Sequence, residues 1–257
     1  MQDTDSRGPG PLRVIPRTHS RSVLIANAKG GCGKTTLATN LAAYFANRGR
    51  ATALMDFDPQ GSSAYWLKLR PESAAPVCGI SVFGQPEHNQ TSSFRRRLPW
   101  GIERVVVDSP AGLAGTELYH RISEADLVVI PILPSPLDIH AATNFIRDIR
   151  LTGCLREGNK QILAIANRVR ANTVMFRELD EFLRQLGMPG MTCLRDSQLY
   201  TRSAAQGLGI PDISRSEALE EKDRWVEIGS WIEKQFAIQA HARETAVTTQ
   251  ADQFTNP

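Results

Sequence analysis

The chain of 257 residues contains few cysteines and no long apolar run. No stretch of about 18 consecutive apolar residues occurs, so no segment is expected to span a membrane. The N-terminus is basic but has neither an apolar core nor a small-residue cleavage site, so we do not expect it to be a secretory signal. The scattered cysteines form no C-x-x-C pair or Cys/His cluster, which argues against a structural metal or a disulfide framework and favours a reducing cytosol.

Length and composition predict one central folded domain. The chain is long enough for one well-buried α/β domain and short for two. A net charge of +3 permits an anionic partner without identifying one. Residues 1–20 are rich in Pro, Gly, Arg and Ser and predict a disordered basic arm. We expect the folded domain over 21–237 and a flexible polar tail over 238–257.

Buried-strand patterns alternate with helical patterns through this domain. Strands are predicted at 22–28, 51–55, 102–108, 125–133, 161–167 and 191–194. Helices are predicted after 33 and around 138–152, 173–187, 199–207 and 217–237, whereas residues 70–100 show weak periodicity and suggest a surface segment. Nearly continuous apolar strands between helices predict an α/β fold, a mostly parallel sheet with helices on both faces. Functional residues of such a sheet lie at the carboxyl ends of its strands.

The sequence "NAKGGCGKTT" after the first strand has the character of a phosphate-binding loop. Its glycines allow backbone N–H groups to face phosphate oxygens, and the helix that follows adds the positive end of its dipole. Lys34 is predicted to reach the β- and γ-phosphates, and the Thr35 hydroxyl to bind Mg²⁺. The predicted nucleotide contacts of this loop are Gly30, Gly31, Cys32, Gly33, Lys34, Thr35 and Thr36. This order of strand, loop and helix predicts a P-loop NTPase.

The loop departs from the strict pattern G-x-x-x-x-G-K-[ST] in two ways. Ala28 stands where the pattern requires glycine, and a second lysine, Lys29, opens the loop. Lys34 already supplies the phosphate-binding cation, so the loop pattern leaves Lys29 unexplained.

Carboxylates follow two other predicted strands. Asp108 ends the run "VVVD", the position at which a carboxylate holds Mg²⁺ in phosphoryl-transfer sites. In "DFDPQG", Asp56 and Asp58 lie on one side of a strand end, because alternate residues share a face. One of the two can support the metal while the other orients the attacking water. The predicted metal ligands are Thr35, Asp56 and Asp108.

The motifs "KGGCGKTT", "DFDPQG" and "VVVDSPAG" together resemble the ParA/MinD family of deviant Walker ATPases, over roughly residues 22–236. The resemblance implies a Mg²⁺-dependent ATPase that binds ATP and Mg²⁺. It implies that Lys29 crosses the interface of an ATP-sandwiched homodimer to the partner's nucleotide, which gives Lys29 a catalytic role beside Lys34. It also implies that Asp58 orients water and that Asp108 belongs to the second switch.

The same resemblance implies where the adenine ring binds. Asn167, which ends "LAIAN", falls where the family reads the ring. The segment "GIPD" (Gly209–Asp212), which includes Pro211, would form the other wall of that pocket.

The family contains several branches with different activities. Ser109, Pro110 and Ala111 stand where iron–sulfur members need cysteines, and the C-terminal region lacks the tyrosine cluster of the kinase members. The tail has little apolar surface to insert into a membrane, so no membrane partner is expected. A MinD-like membrane-associated ATPase and a nucleotide-binding scaffold with little turnover remain the alternatives.

ParA-like members bind DNA without sequence preference and position plasmids, chromosome regions or protein cargo on the nucleoid. The segment "LRDSQLYTRSAAQGLGIPD" resembles their DNA-contacting part, and "DPQGSSAYWLKLR" resembles the carboxysome-positioning branch, McdA. The resemblance implies a cytoplasmic, nucleoid-associated protein with a small ParB- or McdB-like activating partner. The candidate DNA-binding residues are Arg195, Arg202, Arg215 and Arg224, and the run Arg95–Arg97 is interpreted as a solvated face.

Overall fold

A seven-stranded parallel sheet forms the centre of the computed structural model, which describes residues 20–81, 98–157, 160–170, 173–185, 193–214 and 216–254. The strand order is β3-β2-β4-β1-β5-β6-β7. The strands are β1 (Arg21–Ile25), β2 (Thr52–Asp56), β3 (Val77–Ser81), β4 (Arg104–Asp108), β5 (Leu127–Ile132), β6 (Gln161–Val169) and β7 (Cys193–Arg195). Each pairing between neighbours is parallel, which confirms the predicted fold class.

Helices cover both faces of the sheet. They are α1 (Lys34–Asn47), α2 (Ser62–Leu69), α3 (Gly115–Glu124), α4 (Pro136–Leu151), α5 (Cys154–Glu157), α6 (Val174–Gln185), α7 (Gln198–Ala204) and α8 (Leu219–Phe254), with a short 3-10 helix at Ile210–Asp212. Every residue of β2 and β5 is buried, because apolar side chains meet helices on both sides of these strands. No described helix combines the length and the apolar character that crossing a membrane requires.

The apolar core is divided by the sheet into two layers. One layer packs α1, α2 and α8 against the sheet through large buried side chains such as Phe45, Trp66 and Trp225. The other packs α3, α4 and α6 through residues such as Ile122, Phe145 and Leu179. The sheet is therefore held from both sides, and its carboxyl edge is positioned by two separate cores.

Five elements were not predicted from the sequence. The helices α2, α3 and α5 and the short 3-10 helix lie outside the predicted helices, and β3 lies within 70–100, the segment interpreted as surface. β3 is a short edge strand, VCGIS, whose Gly79 interrupts the apolar pattern that marks a strand. The arginine run Arg95–Arg97 and residues 1–19 of the predicted arm lie outside the described residues.

Helix α8 extends to Phe254, well beyond its predicted end at residue 237 and over residues predicted as a polar tail. Gln239 is buried and donates a hydrogen bond to the backbone carbonyl of Asp126 (3.0 Å), and Arg243 pairs with the Asp126 carboxylate (2.9 Å). Residues 238–254 are rich in Ala and Gln and contain no Gly or Pro, a composition compatible with helix. These contacts anchor α8 to the residue that precedes β5.

A glycine allows α8 to pack closely on α1. A Cβ on Gly229 would lie 2.0 Å from Cε1 of the buried Tyr44 ring, nearer than any real contact. Glycine within a helix normally lowers its stability, so packing explains why this position has no side chain.

We expect Gly229→Ala to destabilise the protein, because the added methyl group displaces the Tyr44 ring. The free energy of unfolding should fall by about 1–3 kcal/mol, although the same change on an exposed helix face is stabilising by about 1 kcal/mol. Urea denaturation measures this difference. Ser230→Ala, at the exposed neighbouring position, is the control and should stay within about 0.5 kcal/mol of wild type. A Gly229→Ala variant more stable than wild type would contradict the close contact.

Candidate nucleotide-binding site

Two asparagines hold the loop between β1 and α1. Asn27 donates a hydrogen bond to the Pro131 carbonyl (2.7 Å) and accepts one from the Lys29 N–H (3.1 Å). Asn167, at the end of β6, donates to the Cys32 carbonyl (2.8 Å). Both asparagine side chains are buried, so the loop is fixed by contacts with β5 and β6. Asn27, the first residue of "NAKGGCGKTT", was not among the predicted site residues.

Gly33 gives the loop its sharp entry into α1. Its φ is 97°, a left-handed conformation that glycine adopts readily. A Cβ at this position would lie 2.2 Å from Nδ2 of Asn167. The conformation and the close approach both require glycine here, which agrees with the predicted phosphate loop.

The ammonium groups of the two loop lysines have different partners. Lys34 is buried, and its Nζ donates to the Lys29 carbonyl (3.0 Å), so its side chain lies over the loop. The Nζ of Lys29 lies 3.3 Å from Oδ1 of Asp138, in the first turn of α4. The Lys29 side chain is 39% exposed. The Lys34 ammonium group therefore binds within the loop, whereas the Lys29 ammonium group lies beside the loop at the protein surface.

The carboxylates of Asp56 and Asp108 end neighbouring strands in the same register. Asp56 accepts hydrogen bonds from the backbone N–H groups of Asp58 (3.0 Å) and Ala64 (2.8 Å). Oδ2 of Asp108 accepts a hydrogen bond from Ser63 (2.5 Å). The other oxygen, Oδ1, is buried and has no hydrogen-bond partner among the described residues. A buried carboxylate oxygen without a donor is costly unless a cation or its bound water approaches it.

Burial shifts the acidity of both carboxylates. It raises the pKa of Asp108 from its ordinary value of 3.8 to about 6. The hydroxyl groups of Ser63 and Thr35 lower this pKa, but by less than burial raises it. Burial also raises the pKa of Asp56, against its backbone hydrogen bonds. These residues fit Mg²⁺, which prefers oxygen ligands. Thr35 and Asp108 would hold the ion with Asp56 beside them, and the ion would neutralise charge on the nucleotide phosphates.

Asp58 lies in the turn between β2 and α2. Its carboxylate accepts a hydrogen bond from the Gln60 N–H (3.0 Å), and its carbonyl accepts one from the Gly61 N–H (2.9 Å). The side chain is only partly buried, unlike those of Asp56 and Asp108. Its role in orienting water stays a prediction.

Pro211 lies beside α1, whereas Asn167 lies against the phosphate loop. Ile210 donates a hydrogen bond from its N–H to Asn40 in the middle of α1 (2.7 Å), and Pro211 lines a cleft with Asn47 at the end of that helix. Asn47 is about 20 Å along α1 from Lys34. The turn is held there because Arg70 forms a buried, two-point ion pair with Asp212. Asn167 lies against the phosphate loop, and the assignment of Asn167 and Pro211 to an adenine pocket stays a prediction.

The candidate DNA-binding arginines differ in their surroundings. Arg195 pairs with Glu220 (2.6 Å) and Glu221 (2.7 Å). Arg224 pairs with Glu227 (3.2 Å). Arg202 is exposed on α7 and forms no ion pair with any residue that the structure describes, and Arg215 lies outside the described residues. DNA contact by these residues remains a prediction, with Arg202 the least neutralised.

The buried Asp108 predicts how stability depends on pH. Between about pH 4 and 6 the folded chain keeps a proton on Asp108 that the unfolded chain has released, so the free energy of unfolding falls as pH rises. Asp108→Asn removes this effect. Relative to wild type, the variant should gain about 2 kcal/mol between pH 4 and pH 7.5 in nucleotide-free buffer with EDTA. Urea denaturation at the two pH values measures it, and a difference that is constant with pH would contradict the buried carboxylate.

Comparison with known proteins agrees with this site. Residues 23–210 match the family model described as the CobQ/CobB/MinD/ParA nucleotide binding domain. The chain is 31% identical over 192 residues to maintenance of carboxysome distribution protein A of Halothiobacillus neapolitanus, covering 74% of this chain and 86% of that protein. The same-named protein of Gloeobacter kilaueensis is 31% identical over 208 residues, covering 78% and 87%.

A solved structure shows the same fold. An ATP complex of Cyanothece McdA superposes with a TM-score of 0.65 at 15% identity, covering 84% of this chain and 97% of that one. At this identity the likeness concerns the fold alone. The family model, however, spans most of the described domain, including the phosphate loop, both carboxylate-bearing strand ends and Asn167. The chain therefore belongs to the CobQ/CobB/MinD/ParA family of nucleotide-binding proteins.

Proposed function

We propose that this protein is a Mg²⁺-dependent ATPase that acts as a positional switch. ATP drives formation of a homodimer, the dimer binds nucleoid DNA without sequence preference, and a small ParB- or McdB-like partner stimulates hydrolysis to ADP and phosphate. The released monomers then recycle. The names of the relatives favour carboxysomes as the cargo. A plasmid or a chromosome region would use the same cycle.

The position of Lys29 is the observation that carries this proposal. Its ammonium group lies outside its own loop and is partly exposed, whereas Lys34 occupies the loop. A cation delivered to the partner's nucleotide neutralises phosphate charge only when two loaded subunits meet. Dimerisation thereby depends on ATP. The Lys29–Asp138 pair must open first, and a partly exposed ion pair of this kind contributes less than about 1 kcal/mol.

The remaining groups supply binding and hydrolysis. The loop N–H groups and Lys34 bind phosphate, while Thr35 and Asp108 fit the metal. Asp58, in the turn between β2 and α2, would orient the attacking water. Phosphoryl transfer requires positioning and charge neutralisation more than covalent chemistry, which suits this set of residues.

Replacing each of the two loop lysines should remove a different property of the protein. Lys34→Ala is expected to abolish ATP binding, because the loop loses its direct phosphate cation. Lys29→Ala should keep ATP binding but lose the dimer, because its contact lies across the interface. Analytical ultracentrifugation with ATP, with nucleotide binding measured in parallel, separates these results. Lys68→Ala, at an exposed position on α2, is the control for loss of charge. A normal ATP-dependent dimer of Lys29→Ala would contradict the role in the partner's site.

Dimerisation would also control DNA binding. The arginines of one subunit neutralise few phosphates, and two subunits double the number of counterions released. DNA affinity then depends on ATP even where the nucleotide does not contact DNA. Phosphate contacts carry no base information, so binding should ignore sequence.

Arg202 provides the sharpest test, because it has no acidic partner in the described chain. On random-sequence DNA with ATP, Arg202→Ala should lower the slope of log affinity against log salt by about 1.8, two phosphates per dimer. The double variant with Arg195→Ala should lose more, although Glu220 and Glu221 already offset part of the Arg195 charge. Arg147→Ala on α4 is the control.

An unchanged slope in the double variant would place the DNA contacts elsewhere. Binding of the ATP form to acidic liposomes but not to DNA would favour the MinD-like alternative. ATP binding without phosphate release, with or without a partner, would favour the scaffold alternative.

A further inference from the structure

The first turn of α2 contacts both buried carboxylates of the site. The hydroxyl of Ser63, the second residue of the helix, donates to Oδ2 of Asp108 (2.5 Å). The backbone N–H of the next residue, Ala64, donates to Oδ2 of Asp56 (2.8 Å). Ser63 is fully buried, and so is Asp108. One helical turn therefore holds the carboxylates that end β2 and β4.

The Ser63 hydrogen bond determines which Asp108 oxygen stays available. The terminal torsion of an aspartate is broad, so a carboxylate without a fixed partner adopts a range of orientations. Here Oδ2 is occupied by Ser63, while the buried Oδ1 has no hydrogen-bond partner among the described residues. A charge-assisted O–H···O⁻ bond of this length is among the stronger neutral-to-charged contacts. It selects the orientation that leaves Oδ1 for a cation or its water.

Helix α2 is also held at its far end, which keeps Ser63 in place. The indole N–H of Trp66 donates to the Leu208 carbonyl (3.2 Å), and the Arg70 guanidinium that follows the helix binds Asp212 (2.8 Å). The Arg70–Asp212 pair is nearly fully buried. The Ser63 hydroxyl is consequently presented by an anchored helix rather than by a loop that could follow Asp108.

We propose that Ser63 is a positioning residue for the Mg²⁺ of the nucleotide site, acting through Asp108 and not as a ligand. The inference rests on the proposed function, since it requires Mg²⁺ and ATP at this site. Removing a residue that orients a metal-binding group typically lowers metal affinity by about 10- to 100-fold. The adjacent Ser62 is exposed, so the two serines of "GSS" differ in role although they are identical in sequence.

The test compares ATP affinity in Mg²⁺ with ATP affinity in EDTA for wild type, Ser63→Ala, Ser63→Cys and Ser62→Ala, using a fluorescent ATP analogue. In Ser63→Ala the gain in affinity on adding Mg²⁺ should fall by about 10-fold or more, while affinity in EDTA stays unchanged. Ser63→Cys, whose thiol is a weak donor of similar size, should lie between Ser63→Ala and wild type. Ser62→Ala should match wild type.

Each other outcome overturns the inference in a distinguishable way. An equal loss of affinity in Mg²⁺ and in EDTA would mean that Ser63 only supports the fold. If Mg²⁺ raises the ATP affinity of Ser63→Ala as much as that of wild type, the role of Ser63 is overturned and the proposed function is not. No gain in wild type would overturn the proposed function as well. Should Ser63→Ala fail to fold, judged by urea denaturation, Ser63→Cys carries the same comparison.

Discussion

The parallel pairing of β2, β4 and β1 is the constraint on which the nucleotide site depends. In this register Ile25 lies beside Asp108, and Asp108 lies beside Asp56. The phosphate loop, which follows β1, and the two carboxylates are thereby brought to one edge of the sheet. A shift of one residue in β2 or β4 would turn the carboxylate of that strand toward the opposite face. The apolar residues that set the register therefore also set the geometry of the site.

The site is built from polar groups that are costly to bury. Asp56 and Asp108 lie in the interior with raised pKa values, and one oxygen of Asp108 has no hydrogen-bond partner in the described structure. A chain selected for stability alone would have an apolar or amide side chain at position 108. The unfavourable carboxylate fits the proposed Mg²⁺ site, in which a cation would stabilise it when nucleotide binds. Under that proposal, the free protein loses some stability and gains metal-dependent binding.

The opposite edge of the sheet has a separate polar anchor. The carboxylate of Asp126 accepts hydrogen bonds from the backbone and hydroxyl of Ser22 (both 2.9 Å) and pairs with Arg21 and Arg243. This residue joins β1, β5 and the distal part of α8. Helix α8, which also carries Arg224, is thereby attached to the sheet at Arg243, in addition to the apolar contacts of its first half. Helix α8 and the nucleotide site are consequently connected through the same sheet.

Local patterns in the sequence were sufficient to predict the fold class and the core of the site. The glycines and Lys34 mark the phosphate loop, and Asp56 and Asp108 each follow a buried strand. Such features depend on a few neighbouring residues whose backbone requirements are strong. The family resemblance added a distinct role for Lys29, and the structure places its ammonium group apart from that of Lys34.

Only the tertiary structure decided which polar residues support the site. Asn27 and Ser63 stand in quoted motifs that assign them no role, and their partners Pro131 and Asp108 are distant along the chain. The turn that contains Pro211 is held by the buried Arg70–Asp212 pair and lines a cleft beside the end of α1, contacts that its motif does not indicate. Helix α8 extends beyond the end that its sequence pattern predicts, and Asp126 anchors the added part. The sequence by itself determined the contacts within a few residues, whereas pairings between distant residues, which depend on the packing of the whole chain, were decided by the fold.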